Sequence, residues 1–242
     1  MPAFLVHGVP DTHLVWDEVC EQLTRADVVR PDLPGFAAPL PDGFTPNKES
    51  YVAWLIDEVE AVGEPVDLVG HDWGSLLAVR AATTRPDLVR TLAFGGGPVD
   101  ETYTWHDVAQ LWQQPEIGEQ VMEAMTPDAM AVALPDLGLT PEQARRTAAH
   151  ITPEMKAAIL ALYRSAVTVG AEWGPALDNT FDRPALALWG ADDVYAPPDF
   201  GARMAARLRG DAIVFEGCGH WWPASRPEAV AAALEELWGR GE

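Results

Sequence analysis

Residues 67–82 read DLVGHDWGSLLAVRAA. The run Val66–Val69 has the apolar character of a buried strand and breaks at Gly70. A helical pattern, Ser75–Ala82, begins just past Gly74. Between the two glycines stand His71, Asp72 and Trp73. A Gly-x-Asp-x-Gly frame between strand and helix specifies a sharp turn that lifts its middle side chain above the sheet edge. Serine is the familiar residue at such an apex, and here it is Asp72. Ser75 stands one turn into the helix rather than at the apex, so Asp72 is the candidate nucleophile.

Other short apolar runs stand at Phe4–Val6, Asp27–Arg30, Val89–Phe94, Ala185–Trp189 and Ala212–Phe215. Helical patterns near 14–25, 49–62, 75–84, 199–208 and 226–238 separate the runs. This alternation implies an α/β protein with a parallel sheet covered on both faces. Residues 101–180 interrupt it without a strand pattern. Thr126-Pro127, Thr140-Pro141 and Thr152-Pro153 punctuate that stretch, each a capping hydroxyl before a proline at the first helical position. Thr140 and Gln143 also complete a capping box. The expectation is a core at 1–100 and 181–242 with an inserted helical cap at 101–180. The cap is expected over the carboxyl ends of the strands, where open α/β sheets bind ligands.

A nucleophile at a turn needs a base, and the base needs an orienting acid. LALWGADDVYAPP, from Leu186, puts Asp192 and Asp193 just past the fifth strand, and FEGCGHWWP (215–223) puts His220 past the sixth. Asp193, three residues beyond Gly190, is preferred over Asp192. Asp100, after the fourth strand, is a weaker candidate for the same role. FLVHGVP (4–10) ends the first strand. Gly8 lets the backbone bend there, so the N–H of Val9 and that of Trp73 are the candidate oxyanion donors. His7 and His71 read as structural histidines beside these turns.

The bulk numbers narrow the classes. With 242 residues and 48% hydrophobic content, the chain is long enough for one sizeable core. Its formal net charge of −21 disfavours nucleic acid, anionic membranes and anionic substrates. Two cysteines, Cys20 and Cys218, make no disulfide framework, and no apolar run of membrane-spanning length or basic leader is present. A cytoplasmic location is expected.

HGVP, GHDWG, the loop after the fifth strand and GCGHWWP together resemble the α/β-hydrolase superfamily. In particular they resemble its epoxide hydrolase and haloalkane dehalogenase branch, which carries Asp at the turn. The resemblance runs over nearly the whole chain. Family members usually carry two strands before the HG-x-P strand, so the sheet here is expected to be shortened, with about six strands. The resemblance implies the α/β-hydrolase fold and the roles Asp72 nucleophile, His220 base and Asp193 partner of the base.

Aspartate constrains the chemistry. Carboxylate attack on an ester gives a high-energy anhydride, whereas attack on an sp³ carbon gives an ordinary alkyl ester. An epoxide oxygen or a halide is therefore the expected leaving group, and no metal or cofactor is needed. An epoxide oxygen needs a proton donor, expected from the cap. In AILALYRSAV (158–167), Ile159, Leu160, Tyr163 and Val167 share one helical face. Tyr163 resembles the lid tyrosine of epoxide hydrolases. In TYTWHDVAQLW (102–112), His106 is the candidate second donor, with Tyr103 in reserve. Trp73, Trp105, Tyr103 and Trp221 are expected to line the substrate pocket. A halide would need N–H donors; Val9 stands where dehalogenases often place Asn, and Trp73 with Trp105 or Trp112 could substitute. The expected partner is a small neutral, apolar or aromatic substrate, with a homodimer left open.

Overall fold

The computed structural model describes residues 1–178 and 181–241. The apolar runs form six strands: β1 (Ala3–Val6), β2 (Val28–Val29), β3 (Val66–His71), β4 (Val89–Gly95), β5 (Ala185–Gly190) and β6 (Asp211–Phe215). They make one parallel sheet in the order β2-β1-β3-β4-β5-β6. Val6 lies opposite Gly70, and His71 opposite Gly95, so the carboxyl ends of β1, β3 and β4 finish side by side.

Parallel strands need crossovers, and the helices supply them. They are α1 (Asp17–Gln22), α2 (Lys48–Ala61), α3 (Trp73–Thr84), α4 (Asp107–Gln113), α5 (Ile117–Ala124) and α6 (Pro127–Ala133). Then follow α7 (Pro141–Ala148), α8 (Pro153–Ser165), α9 (Val169–Trp173), α10 (Asp199–Arg207), α11 (Trp222–Ser225) and α12 (Pro227–Gly239). The helix expected near 14–25 divides into a 3₁₀ turn, His13–Trp16, and α1.

The period-2 alternation of β1 sorts its side chains between two cores. Phe4 and Val6 join Tyr51, Leu55 and Leu77 on one face, while Ala3 and Leu5 join Trp16, Leu234 and Leu237 on the other. Asp67 interrupts the apolar pattern of β3. It is fully buried but held by Arg25, Arg90 and Thr91, so its charge is compensated.

Between β4 and β5 stand α4 to α9, with no strand among the described residues. Thr126, Thr140 and Thr152 each accept a backbone N–H at the starts of α6, α7 and α8, and Thr140 and Gln143 form the reciprocal capping box. On α8, Ile159, Leu160 and Tyr163 are buried together, but Val167 is 56% exposed. The helix ends at Ser165, so Val167 no longer shares that face. Among the described residues no helix is long and apolar enough to cross a membrane.

Candidate active site

Asp72 sits at the apex between β3 and α3 with φ 54° and ψ −122°, a backbone conformation costly for any residue with a side chain. Its N–H donates to the Gly95 carbonyl at 2.9 Å, and its own carbonyl accepts from Ser75 N at 2.9 Å. The flanking glycines make the turn possible. A Cβ on Gly70 would strike the Gly74 backbone, and one on Gly74 would strike the carbonyls of Val6 and His7. A Cβ on Gly8 would occupy the space of the Asp72 carboxyl itself.

That close approach lets Val9 N donate to Asp72 Oδ1 at 2.6 Å. The other oxygen, Oδ2, lies 3.4 Å from His220 Nε2. On the far side of the ring, His220 Nδ1 is 2.9 Å from Asp193 Oδ2. Asp193 Oδ1 accepts from Tyr195 N at 2.9 Å and Ala196 N at 3.1 Å, so both its oxygens are engaged. Asp192, by contrast, is exposed. Asp72, Asp193 and His220 thus meet from three strand ends. The Trp73 N–H points from the first turn of α3 but makes no hydrogen bond to Asp72 among the described residues.

Electrostatics follow from this geometry. Burial works against ionisation of Asp72, but His220, His71 and the Val9 N–H more than offset it and hold its carboxyl below the usual range. Burial also works against a charged His220, yet the carboxylates of Asp193 and Asp72 bring it up to about 10. His7 and His71 show the opposite balance: burial lowers each to about 4. His7 Nε2 accepts from Leu33 N at 2.9 Å and its Nδ1 faces the Gly8 carbonyl at 2.8 Å. His71 Nε2 holds the His220 carbonyl at 2.9 Å. Both are neutral scaffolding for the loops.

Ser75 is fully buried, donates its hydroxyl to the Gly97 carbonyl at 3.0 Å and does not line the cavity that Asp72 faces. Asp100 is engaged with Thr102 and Arg203 rather than with His220.

Above the carboxylate lies a cavity of about 380 Å³ between the core loops and α4–α8. Asp72, His220, Tyr163, His106 and Trp221 reach its wall, which is otherwise mainly Val, Ala, Leu and Met. Three residues expected there do not line it. Trp73 stacks on Trp105 at 5.7 Å, and Trp105 packs on Tyr163 at 5.0 Å, a layer behind the wall. Trp105 spends its indole N–H on the Ala166 carbonyl, and Tyr103 its hydroxyl on the Tyr195 carbonyl. Edge-to-face and stacked packing favours this internal layer over exposure to the cavity. A second cavity, about 400 Å³, lies at the opposite edge of the sheet around Arg25, Asp27, Arg90 and Glu235. Arg25 pairs there with Asp27 and Asp67, and Arg90 with Asp67.

Two residues near the carboxylate escaped sequence reasoning. Tyr195, two positions past Asp193, lines the cavity and stands edge-on to His220 at 5.1 Å. Asp11, three past Gly8, is buried and accepts the Trp221 indole N–H at 2.9 Å, while its Oδ1 has no partner among the described residues. Burial, together with the charge of Asp72, pushes Asp11 up to about 7. Each follows a motif residue by two or three positions in a loop, where Asp and Tyr read only as turn residues.

A parallel sheet in this order, with acid, base and apex residue at the carboxyl ends of its strands, defines an α/β hydrolase. The chain belongs to the alpha/beta hydrolase family, matching it over residues 3–233. It is 24% identical to the (E)-2-((N-methylformamido)methylene)succinate hydrolase of Acinetobacter baylyi, covering 97% of this chain and 89% of that one. It is 25% identical to a haloalkane dehalogenase of Bradyrhizobium diazoefficiens (95% and 84%) and 24% identical to epoxide hydrolase 3 of Mus musculus (97% and 70%). The fold is shared with a meta-cleavage product hydrolase of Pseudomonas fluorescens, with TM-score 0.82 and 20% identity over 100% of this chain and 92% of that one.

Proposed function

We propose that the protein is an epoxide hydrolase, adding water to a small neutral epoxide to give a vicinal diol. The observation that carries this reading is the Tyr163 hydroxyl-bearing side chain on the wall of the cavity that Asp72 and His220 also line. Burial and the nearby Asp72 charge push the Tyr163 phenol well above its ordinary value, so it stays a proton donor.

In the first step Asp72 Oδ2 attacks a ring carbon, the C–O bond breaks, and the electron pair moves to the ring oxygen, which takes a proton from Tyr163. The product is an alkyl ester on Asp72. That step also removes one of the two carboxylates that keep His220 protonated. Its affinity for a proton falls, so His220 releases its proton to solvent and becomes the free base that the next step needs; it regains a proton from solvent once Asp72 is again a carboxylate. Water then adds to the Asp72 carbonyl carbon, giving its proton to His220, while the oxyanion is held by the Val9 N–H and the neighbouring Trp73 N–H. Collapse expels the alcohol, protonated by His220, and the proton freed as Asp72 returns to carboxylate restores the tyrosine. Asp193 orients the imidazole and balances its charge.

Among the described residues the cavity wall carries no Lys or Arg. With the chain's net charge of −21, this supports a neutral substrate. The volume of about 380 Å³ suits a ligand of small-molecule size.

One observation favours a second reading, a haloalkane dehalogenase. The indole N–H of Trp112, which lines the cavity, is buried without a hydrogen bond of standard geometry among the described residues, and its ring borders Tyr163 at 4.9 Å. Such an N–H group is what a departing halide requires.

His220→Gln separates the readings, since it permits alkylation of Asp72 but blocks release. Intact-mass analysis after incubation with styrene oxide or with 1-bromohexane reads the adduct. A mass gain equal to the whole epoxide, mapped to the Asp72 peptide, is expected. An alkyl adduct from the bromide alone overturns the epoxide reading in favour of the second one.

A further inference from the structure

We propose that Tyr195 is the second hydroxyl that receives the leaving oxygen, so that the ring-opening donors come one from the cap and one from the core. This rests on the epoxide hydrolase reading and names a residue for it outside the helical insertion. Tyr163 reaches the cavity from α8, whereas Tyr195 reaches it from the loop after β5.

Four observations carry the assignment. Tyr195 lines the same cavity as Asp72, His220 and Tyr163. Its ring stands edge-on to His220 at 5.1 Å, which sets the phenol beside the reacting groups. Its backbone is clamped at both ends: the N–H donates to Asp193 Oδ1 at 2.9 Å, and the carbonyl accepts from Tyr103 at 3.1 Å. Its hydroxyl makes no hydrogen bond among the described residues, and the residue is only half-buried. A donor fixed by the acid that also orients the base needs no rearrangement of the cap to be in place.

His106 is the competing donor, and its chemistry is weaker. Its Nδ1 caps α4, accepting from Ala109 N at 3.3 Å, and burial lowers its affinity for a proton. The remaining N–H of a neutral imidazole is a far poorer acid than a phenol, whose ordinary value is about 10. The His106 ring lies 4.8 Å from that of Tyr195, tilted against it, so it buttresses the tyrosine. In the ring-opening step the C–O electron pair moves to oxygen, one tyrosine transfers its proton, and the other donates a hydrogen bond to the same atom. The proton returns when the ester is hydrolysed.

The test measures the rate of Asp72 alkylation in the His220→Gln background, by intact mass against time, with styrene oxide and with 1-bromohexane. A bromide leaves without a proton, so it reports positioning alone. Adding Tyr195→Phe is expected to slow epoxide alkylation about 10²-fold while leaving any bromoalkane alkylation within about 3-fold. His106→Asn is expected to slow the epoxide step less than Tyr195→Phe does. Equal slowing on both probes would make Tyr195 a packing residue and overturn the proposal, as would an epoxide rate within about 2-fold of the parent. An unchanged melting temperature for Tyr195→Phe excludes a folding defect, and a lowered one moves the comparison to the temperature-matched rate ratio between the two probes. Absence of any epoxide adduct in the parent overturns the epoxide reading itself, a failure told apart because it precedes the Tyr195 substitution.

Discussion

The elbow and helices α4–α8 meet across one cavity but are built on opposite terms. At the elbow the constraints are backbone against backbone: Gly70 and Gly74 leave no room for a methyl group, Gly8 touches the Asp72 carboxyl, and both oxygens of Asp193 are engaged. On the side of α4–α8 the wall is mainly Val, Ala, Leu and Met, with the Trp112 indole N–H left without a partner among the described residues. An elbow packed this way holds the Asp72 carboxyl in one geometry, while the apolar wall from α4–α8 tolerates exchange among residues of similar volume. Under the proposed function, the core would set which bond forms, α4–α8 would govern which substrate fits, and the two would share the departure of its leaving group.

Gly8→Ala is the harshest challenge to that division. The added methyl must displace either the Asp72 carboxyl or the strand end that carries Val9. Loss of the oxyanion geometry is expected to lower kcat by about 10³-fold, the scale of removing one preorganised donor. Steady-state turnover measures it, with hydrolysis of the Asp72 ester as the step that slows. A Gly8→Ala protein of near wild-type rate would mean that the elbow is less constrained than its contacts indicate.

On α4, Trp112→Phe keeps most of the ring packing against Tyr163 and removes only the indole N–H. Under the epoxide reading it is expected to change epoxide turnover by less than about 3-fold. If the enzyme instead releases halide, loss of one such donor is expected to cost about 10- to 10²-fold on bromoalkanes. Steady-state rates on the two substrate classes distinguish these outcomes, and a large loss on epoxides alone would fit neither.

The same asymmetry explains what was legible in the sequence. Strand runs, the glycine turn and the order Asp72, Asp193, His220 could be read because each depends on local pattern: period, turn chemistry and position at a strand end. The second strand shrank to Val28–Val29, since an edge position supports pairing on one side only. The cavity wall was not legible. Which of Trp73, Trp105 and Tyr103 faces the cavity depends on how several short helices pack, and these three settled behind Tyr163. Tyr195 and Asp11 were missed because their significance comes from partners distant in sequence: Asp11 bonds Trp221 across 210 positions.

Asp11 sharpens the contrast with the smallest effect, because it is a buried carboxyl near Asp72 with one oxygen left without a partner among the described residues. Its Oδ1 makes no hydrogen bond of standard geometry among the described residues, and Asp72, His220, Thr147 and Trp221 are the polar and charged groups that face it. Its value is raised from 3.8 to about 7, so the folded state binds a proton there that the unfolded chain has lost. The stability this contributes is fully present below about pH 4 and is lost as the pH rises to about 7. His220, raised from 6.5 to about 10, also loses stability with rising pH, over a higher window, so wild type must be compared with Asp11→Asn at each pH. The amide keeps an acceptor for Trp221 and cannot ionise. It is expected to be more stable than wild type at pH 8 by about 1 kcal/mol, well below the ceiling of about 4 kcal/mol that such a shift allows, because a buried charge relaxes by drawing in water. The advantage should shrink toward pH 5. Denaturant midpoints across that range decide it: a difference that stays constant with pH would mean that Asp11 is ionised throughout and that the core, like α4 with its Trp112 indole, tolerates an unpaired polar group.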